Sequence, residues 1–203
     1  MNRTIHAKLF VVLFAAAIAL SSCHTRRRII VGETDKAAKS VPADVLKGEP
    51  GEIVKPEKSI ADKYAEMMEV DKSSIQNGRL YEFIDQWAGV PYKFGGNDKE
   101  GVDCSGFALL LEQEVYGITI PRVTSQQVTV IKRKYEEELK EGDLVFFNID
   151  GGQFNHVGVY LQNGYFVHAS SSKGVIVVKL HVSMYKDFSR AGSIITPVIA
   201  AEK

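Results

Sequence analysis

Apolar positions fall into four patterns along the chain. Leu9 to Leu20 form an unbroken apolar run of 12 residues. Residues 24–59 carry few large apolar side chains and show no periodicity. From Ile60 to Gly117 apolar residues recur every three or four positions, as on helices with one buried face. From Asp143 to Leu180 they gather in short β-branched and aromatic runs broken by turn residues.

These patterns predict particular elements. Ser59 is placed to cap a first helix, with Asp62 completing a box-like start and Ile60, Tyr64, Met67 and Met68 on one face. A second helix is predicted near Leu80–Ala88, with Leu80, Phe83, Ile84 and Trp87 inward. Gly89, Pro91, Gly95 and Gly96 mark a loop. A third helix starts at about Cys104, buries Phe107, Leu110, Leu111 and Val115, and stops at Gly117. Strands are predicted over Asp143–Ile149, His156–Leu161, Tyr165–Ala169 and Val175–Leu180, with Asn163-Gly164 as a hairpin turn. The charged stretch Thr129–Glu141 is irregular and receives no element. Helices first and hairpin-linked strands later imply an α+β domain, with N-terminal helices packed on an antiparallel sheet.

Charge and composition narrow the function. Lys plus Arg total 25 and Asp plus Glu total 25, so the formal charge is zero. With 45% apolar residues, wholesale disorder is excluded, and a strongly basic nucleic-acid binder is disfavoured. No nucleic-acid partner is expected. The two cysteines, Cys23 and Cys104, exclude a disulfide-rich scaffold.

Arg3 and Lys8 precede the apolar run, which is shorter than the roughly 20 residues of a membrane-spanning helix but long enough for a secretory signal. It ends in Leu20-Ser21-Ser22-Cys23, which resembles a bacterial lipobox. That resemblance implies cleavage after residue 22 and acylation of Cys23. Each buried methylene of the acyl chains would contribute about 0.8 kcal/mol to a membrane anchor. An ordinary signal peptide with an incidental cysteine is the alternative. His24, rather than Asp, follows the cysteine, which points to the periplasmic face of the outer membrane. Arg26, Arg27 and Arg28 either rest on anionic head groups or belong to a solvated tether. The expected organisation is a signal peptide at 1–22, a lipidated N-terminus and flexible tether at 23–59, and a domain at 60–203. Loss of residues 1–22 removes Arg3 and Lys8 and no acid, which shifts the net charge from zero to −2.

With Cys23 acylated, Cys104 has no cysteine partner. It stands at a predicted helix start, where amides lower a thiol pKa. Asp103 is placed as the N-cap acceptor, but its charge opposes a thiolate, so a nearby imidazolium is required. His156 and His168 lie on neighbouring predicted strands. A thiol, a base and a group that orients the base suit acyl transfer. Zinc ligation by Cys104, His156 and His168 is a second reading, weakened by the absence of a close ligand pair. Gly96 and Gly101 have phosphate-loop spacing, but Val102-Asp103 replaces the Lys-Ser/Thr that a nucleotide requires.

The segments PYKFGG (91–96), GVDCSGF (101–107), IPR (120–122), GDLVFF (142–147), NHVGVYL (155–161) and FVHAS (166–170) resemble the NlpC-type cell-wall endopeptidases. These are papain-like cysteine peptidases, and the resemblance runs from about Leu80 to Ile195. It implies that Cys104 is the nucleophile, His156 the base and His168 the orienting residue. It also assigns Tyr92, Asp103 and Ser105 to substrate binding and puts Arg122 in a PR-containing loop. The implied activity is thiol-dependent hydrolysis of peptidoglycan stem peptides, at a D-Glu–diamino acid bond or a D-Ala–diamino acid cross-link. No metal or organic cofactor is implied, and a monomer is expected. His181 receives no role. A lipoprotein that binds cell-wall peptides without cutting them, and an acyltransferase or amidase using the same thioester chemistry, are the competing readings.

Overall fold

The structure, a computed structural model, describes residues 46–182 and 186–195. The export signal, Cys23 and the expected tether up to residue 45 lie outside the described residues.

Helix α1 (Lys58–Met68) begins earlier than the Ser59 pattern predicts. Its N-cap is Glu57, which makes no side-chain cap bond, and the Ser59–Asp62 box does not form. Asp62 instead pairs with Lys58 and Lys72. The inner face is Tyr64, Ala65 and Met68, whereas Met67 is 39% exposed. Helix α2 (Gly78–Trp87) is capped by Asn77, whose side chain accepts from the Leu80 amide at 3.2 Å. It buries Leu80, Phe83, Ile84 and Trp87, as its spacing predicts. Helix α3 (Cys104–Leu111) passes into one π-helical turn (Glu112–Tyr116) and ends at Gly117, in the left-handed conformation with φ 71°. A short helix α4 (Thr124–Gln127) follows.

A two-stranded pair, β1 (Asn97–Asp98) and β2 (Gly101–Val102), carries the chain into α3. The main sheet has six antiparallel strands in the order β3-β8-β4-β5-β6-β7. These are β3 (Ile131–Lys134), β4 (Leu144–Phe147), β5 (His156–Tyr160), β6 (Tyr165–Ser170), β7 (Gly174–Lys179) and β8 (Phe188–Ile194). Asn163 and Gly164 join β5 to β6 with φ values of 50° and 75°, the backbone a tight hairpin needs. The sheet is wider than the sequence predicts. β3 forms inside the charged 129–141 stretch, and β8, drawn from FSRAGSI, inserts between β3 and β4.

Strand alternation separates two apolar layers. Leu144, Phe146, Val157, Val159 and Val167 face α2 and α3, against Phe83, Trp87, Phe107 and Leu111. Val145, Phe147, Phe166 and Ala191 form a smaller cluster on the other face. The predicted α+β class, helices on an antiparallel sheet, is borne out. The bulky run in β4 is continuous because both of its faces are buried.

The described part of the expected tether packs on the domain. Leu46 is 5% exposed and joins the core. The buried Arg79 guanidinium donates through Nη1 to the carbonyls of Leu46, Lys47 and Gly48, and through Nε to the Glu114 carbonyl at 2.7 Å. The Gly51 amide donates to the Val115 carbonyl at 2.8 Å. A Cβ at Gly78 would stand 2.6 Å from the Val54 carbonyl oxygen, so this strap requires glycine there. The packed unit therefore begins by Leu46 rather than at residue 60. The strap's low apolar content hides this, because backbone carbonyls rather than side chains hold it.

Glu112 sits at the end of α3 with 1% exposure. Burial pushes its carboxyl well above the ordinary range, and the charge of Asp143 adds to the effect. A raised folded pKa gives stability that is full below the unfolded value near 4.5 and is lost as pH rises. Glu112→Gln resembles the protonated form and does not titrate. We expect it to raise the unfolding midpoint more at pH 8 than at pH 5, as measured by thermal denaturation. An equal effect at both values would contradict the assignment.

Candidate active site

Cys104 is the first residue of α3. The Asp103 side chain caps that helix by accepting from the Gly106 amide at 2.7 Å, as predicted. The same carboxylate accepts from the Gly95 amide at 2.8 Å, which ties down the 91–96 loop. Arg122 grips it with two nitrogens, Nη1 to Oδ1 at 2.8 Å and Nη2 to Oδ2 at 2.9 Å. Arg122 also donates to Ser105 Oγ at 3.0 Å and to the Gly96 carbonyl at 2.9 Å. Gly106 lies under this cluster. A Cβ there would sit 2.6 Å from the Gly96 carbonyl oxygen, which accounts for glycine in DCSGF.

Cys104 is 6% exposed, with its thiol against the Val157 amide near the start of β5. Burial pushes its pKa up. Hydrogen bonds from the Val157 amide, the Thr124 hydroxyl and the Ser105 amide pull it down, while the Asp103 charge pushes it up. Thr124 Oγ1 lies 4.0 Å from the sulfur. The sum remains a raised pKa, so the helix start does not by itself hold Cys104 as a thiolate.

His156 opens β5 and His168 lies on β6, with His156 Nε2 2.8 Å from His168 Nδ1. Their rings stand edge to face, with centroids 4.8 Å apart. Burial lowers the pKa of His156 to about 4. His168 is pushed well below its ordinary value by burial and by its neighbour His156, against a hydrogen bond to the Ala169 backbone. Both imidazoles rest neutral near pH 7. The imidazolium expected from the Asp103 charge is therefore not the resting state, because desolvation outweighs attraction at this depth. Arg122 supplies the balancing charge instead.

A cavity of about 310 Å³ opens beside the pair, lined in part by Tyr92, Asp150, Asn155, His156, His168 and Ser170. Tyr92 is held in place by a bridge to Val102. Burial raises its hydroxyl pKa, with the Cys104 and Asp103 charges adding. Asp103 and Ser105 do not line this cavity; each is turned into the Arg122 network. A larger cavity of about 580 Å³, lined by strap residues, Ala61 and the 72–76 connection, shares none of these groups. Among the described residues, no cluster of three or more His, Cys, Asp or Glu side chains could hold a metal ion.

The NlpC/P60 family profile matches residues 89–192, half of the chain. The chain belongs to this family. It is 41% identical over 114 residues to the probable endopeptidase NlpC of Escherichia coli, a match covering 55% of this chain and 74% of that relative. It is 40% identical over 108 residues to the murein DD-endopeptidase MepS/murein LD-carboxypeptidase of Escherichia coli, covering 53% of this chain and 57% of that relative. A crystal structure of an NlpC/P60 family protein from Bacillus cereus is similar at 25% identity and a TM-score of 0.50, over 72% of this chain and 43% of that one. The motif resemblance is thus borne out: the chain is a member of a family of cell-wall cysteine endopeptidases.

The structure brings Tyr92, Cys104, His156 and His168 to one end of the sheet. Sequence reasoning missed Thr124, the two-pronged grip of Arg122 on Asp103, and Asn155, whose amide braces the loop before His156. Only Arg122 and Asn155 carried a signal, as members of the IPR and NHVGVYL segments.

The balance at the thiol is testable by alkylation. Asp103→Asn keeps a capping oxygen and removes the charge that opposes the thiolate; Arg122→Ala leaves that charge unbalanced. At pH 8, iodoacetamide should modify Cys104 several-fold faster in Asp103→Asn and several-fold slower in Arg122→Ala than in the parent. Identical rates in all three would overturn the electrostatic account.

Proposed function

We propose that the protein is a lipid-anchored cysteine endopeptidase that hydrolyses amide bonds of peptidoglycan stem peptides. The observation that carries this reading is the buried His156–His168 pair beside a capped, amide-directed Cys104 thiol. Family membership and the endopeptidase names of its relatives support the substrate class. The lipobox-like segment ending at Cys23 supports the anchor, and His24 supports the periplasmic face of the outer membrane.

The chemistry follows from neutral partners. His168 accepts from Nε2–H of His156, which fixes the tautomer and presents Nδ1 as the base. As the Cys104 sulfur attacks the scissile carbonyl, its proton passes to Nδ1. The oxyanion is held by backbone amides at the α3 start and by the Tyr92 hydroxyl. His156 then protonates the departing amine, leaving a thioester. Water, deprotonated by the same imidazole, attacks that thioester and releases the acid. Burial raises the ground-state cost of charge and strengthens each of these contacts once charge develops.

Two measurements test the proposal. Purified muropeptides treated with the protein should yield new peptide ends by mass spectrometry, and Cys104→Ala should yield none. The activity should also be lost to a thiol alkylator but not to a chelator. An absence of new ends with the parent protein ends the peptidase reading.

The pH profile tests the mechanism separately. A base whose pKa is lowered to about 4 stays competent until the pH falls that far. The acid limb of kcat/KM should therefore have its midpoint near pH 4 rather than near 6.5. A midpoint near 6.5 would show instead that the working base titrates as an ordinary imidazole, and would overturn the account of a base lowered by burial.

A further inference from the structure

The loop between β4 and β5 is built more tightly than a surface connection requires. Asn155 clamps the Ile149 peptide from both sides: its Oδ1 accepts from the Ile149 amide and its Nδ2 donates to the Ile149 carbonyl, each at 2.8 Å. Asn148 Oδ1 accepts from the Phe154 amide at 2.8 Å, and the Gly152 amide closes a turn onto the Ile149 carbonyl at 3.0 Å. From β8, the Arg190 guanidinium lies 4.6 Å over the Phe154 ring. Inside this frame Asp150 adopts the left-handed conformation, φ 51° and ψ 36°. Asp is one of the few non-glycine residues that adopt this conformation readily, and the frame around it uses that property.

The frame places Asp150 on the wall of the cavity that also contains His156 and His168. Asp150 is the only carboxylate among the lining residues, and no Lys or Arg lines the cavity. No cation pairs with it within 4.0 Å among the described residues. The cavity lining therefore offers one carboxylate and no cationic Lys or Arg side chain to a bound group.

The reaction decides which half of the substrate meets that charge. His156 must hand its proton to the departing nitrogen, so the residue supplying that nitrogen lies over the imidazole, on the cavity side. The acyl half stays on the sulfur. Both candidate bonds have a diamino acid on the leaving side, but they differ in charge. At the D-Glu–diamino acid bond of an uncrosslinked stem, the second amine is a free ammonium. In the cross-link both amines are acylated, and only carboxylate remains.

We infer that Asp150 is a specificity-determining residue that binds the free ammonium of the leaving diamino acid, so that uncrosslinked stems are preferred to cross-links. This rests on the peptidase reading above and adds to it a recognition site for one charge on one half of the substrate. Ser171, which also lines the cavity, offers a hydroxyl for the remaining polar edge of that residue.

The test uses the protein and its Asp150→Asn variant. Asn tolerates the left-handed backbone, so the loop conformation is kept while the charge goes. The substrates are an uncrosslinked stem peptide with a free side-chain amine and the same peptide N-acetylated at that amine. The parent should show a KM about fivefold lower for the free amine at low salt, the size of a partly exposed charge pair, and the difference should shrink in high salt. In Asp150→Asn the two KM values should converge, with kcat little changed. Equal KM values in the parent, or a preference that survives Asp150→Asn, would overturn the inference while leaving the peptidase reading intact. So would cleavage confined to cross-linked muropeptides. Binding of the two peptides to Cys104→Ala, measured by calorimetry, reads the same discrimination without turnover. If the parent cuts no muropeptide at all, both the peptidase reading and this inference fall.

Discussion

The Asp103 carboxylate is the contact on which the site's geometry depends. It caps α3, anchors the 91–96 loop at the Gly95 amide and receives both prongs of Arg122. Three chain segments that are distant in sequence thereby meet at one buried group. Cys104 rides on the first, Tyr92 on the second, and Thr124 follows Arg122 on the third. A buried carboxylate is costly unless paired and fully hydrogen-bonded, and this one is both. Gly96 and Gly106 belong to the same arrangement. Their backbones approach too closely for a side chain at Gly106, so the guanidinium can reach the helix cap and the loop carbonyl together.

Arg122 pairs with Asp103, and burial is the largest influence on the thiol and on both imidazoles. The thiol is pushed up and both imidazoles are pushed down, so a neutral triad is the stable form. A carboxylate in the place of His168 would favour a charged His156 at rest. A neutral imidazole at 2.8 Å instead orients His156 without charging it. In the proposed mechanism, charge would develop only as the substrate carbonyl becomes an oxyanion, in surroundings already depleted of water.

Much of this was legible in the sequence because it rests on local rules. Cys104 at a helix start, Asp103 as its cap, Gly117 as its stop and Asn163-Gly164 as a hairpin turn each follow from a few adjacent residues. His156 and His168 followed from one hairpin, since neighbouring strands bring their ends together. The features that escaped are non-local. β8 is short of bulky residues because Gly192 must pass close to the Lys132 carbonyl, and β3 is a charged edge strand whose partner is some sixty residues later. The strap at 46–57 is held by Arg79 through main-chain carbonyls, which leave no pattern in side chains. Met67 fits helical spacing yet is 39% exposed, since helical spacing does not say how much of a face its neighbours cover.

The strap also bears on the proposed attachment through Cys23. A chain tied to a membrane at Cys23 would transmit force to the first point where it is fixed. In the described residues that point is Leu46, with its side chain in the core and its carbonyl on Arg79, rather than the start of α1. Arg79 spends its donors on strap carbonyls and on Glu114, in the turn that continues α3. The same continuous helix carries Cys104 at its other end. A pull on the strap would thus be borne by the element that carries Cys104 rather than by the loops that shape the cavity.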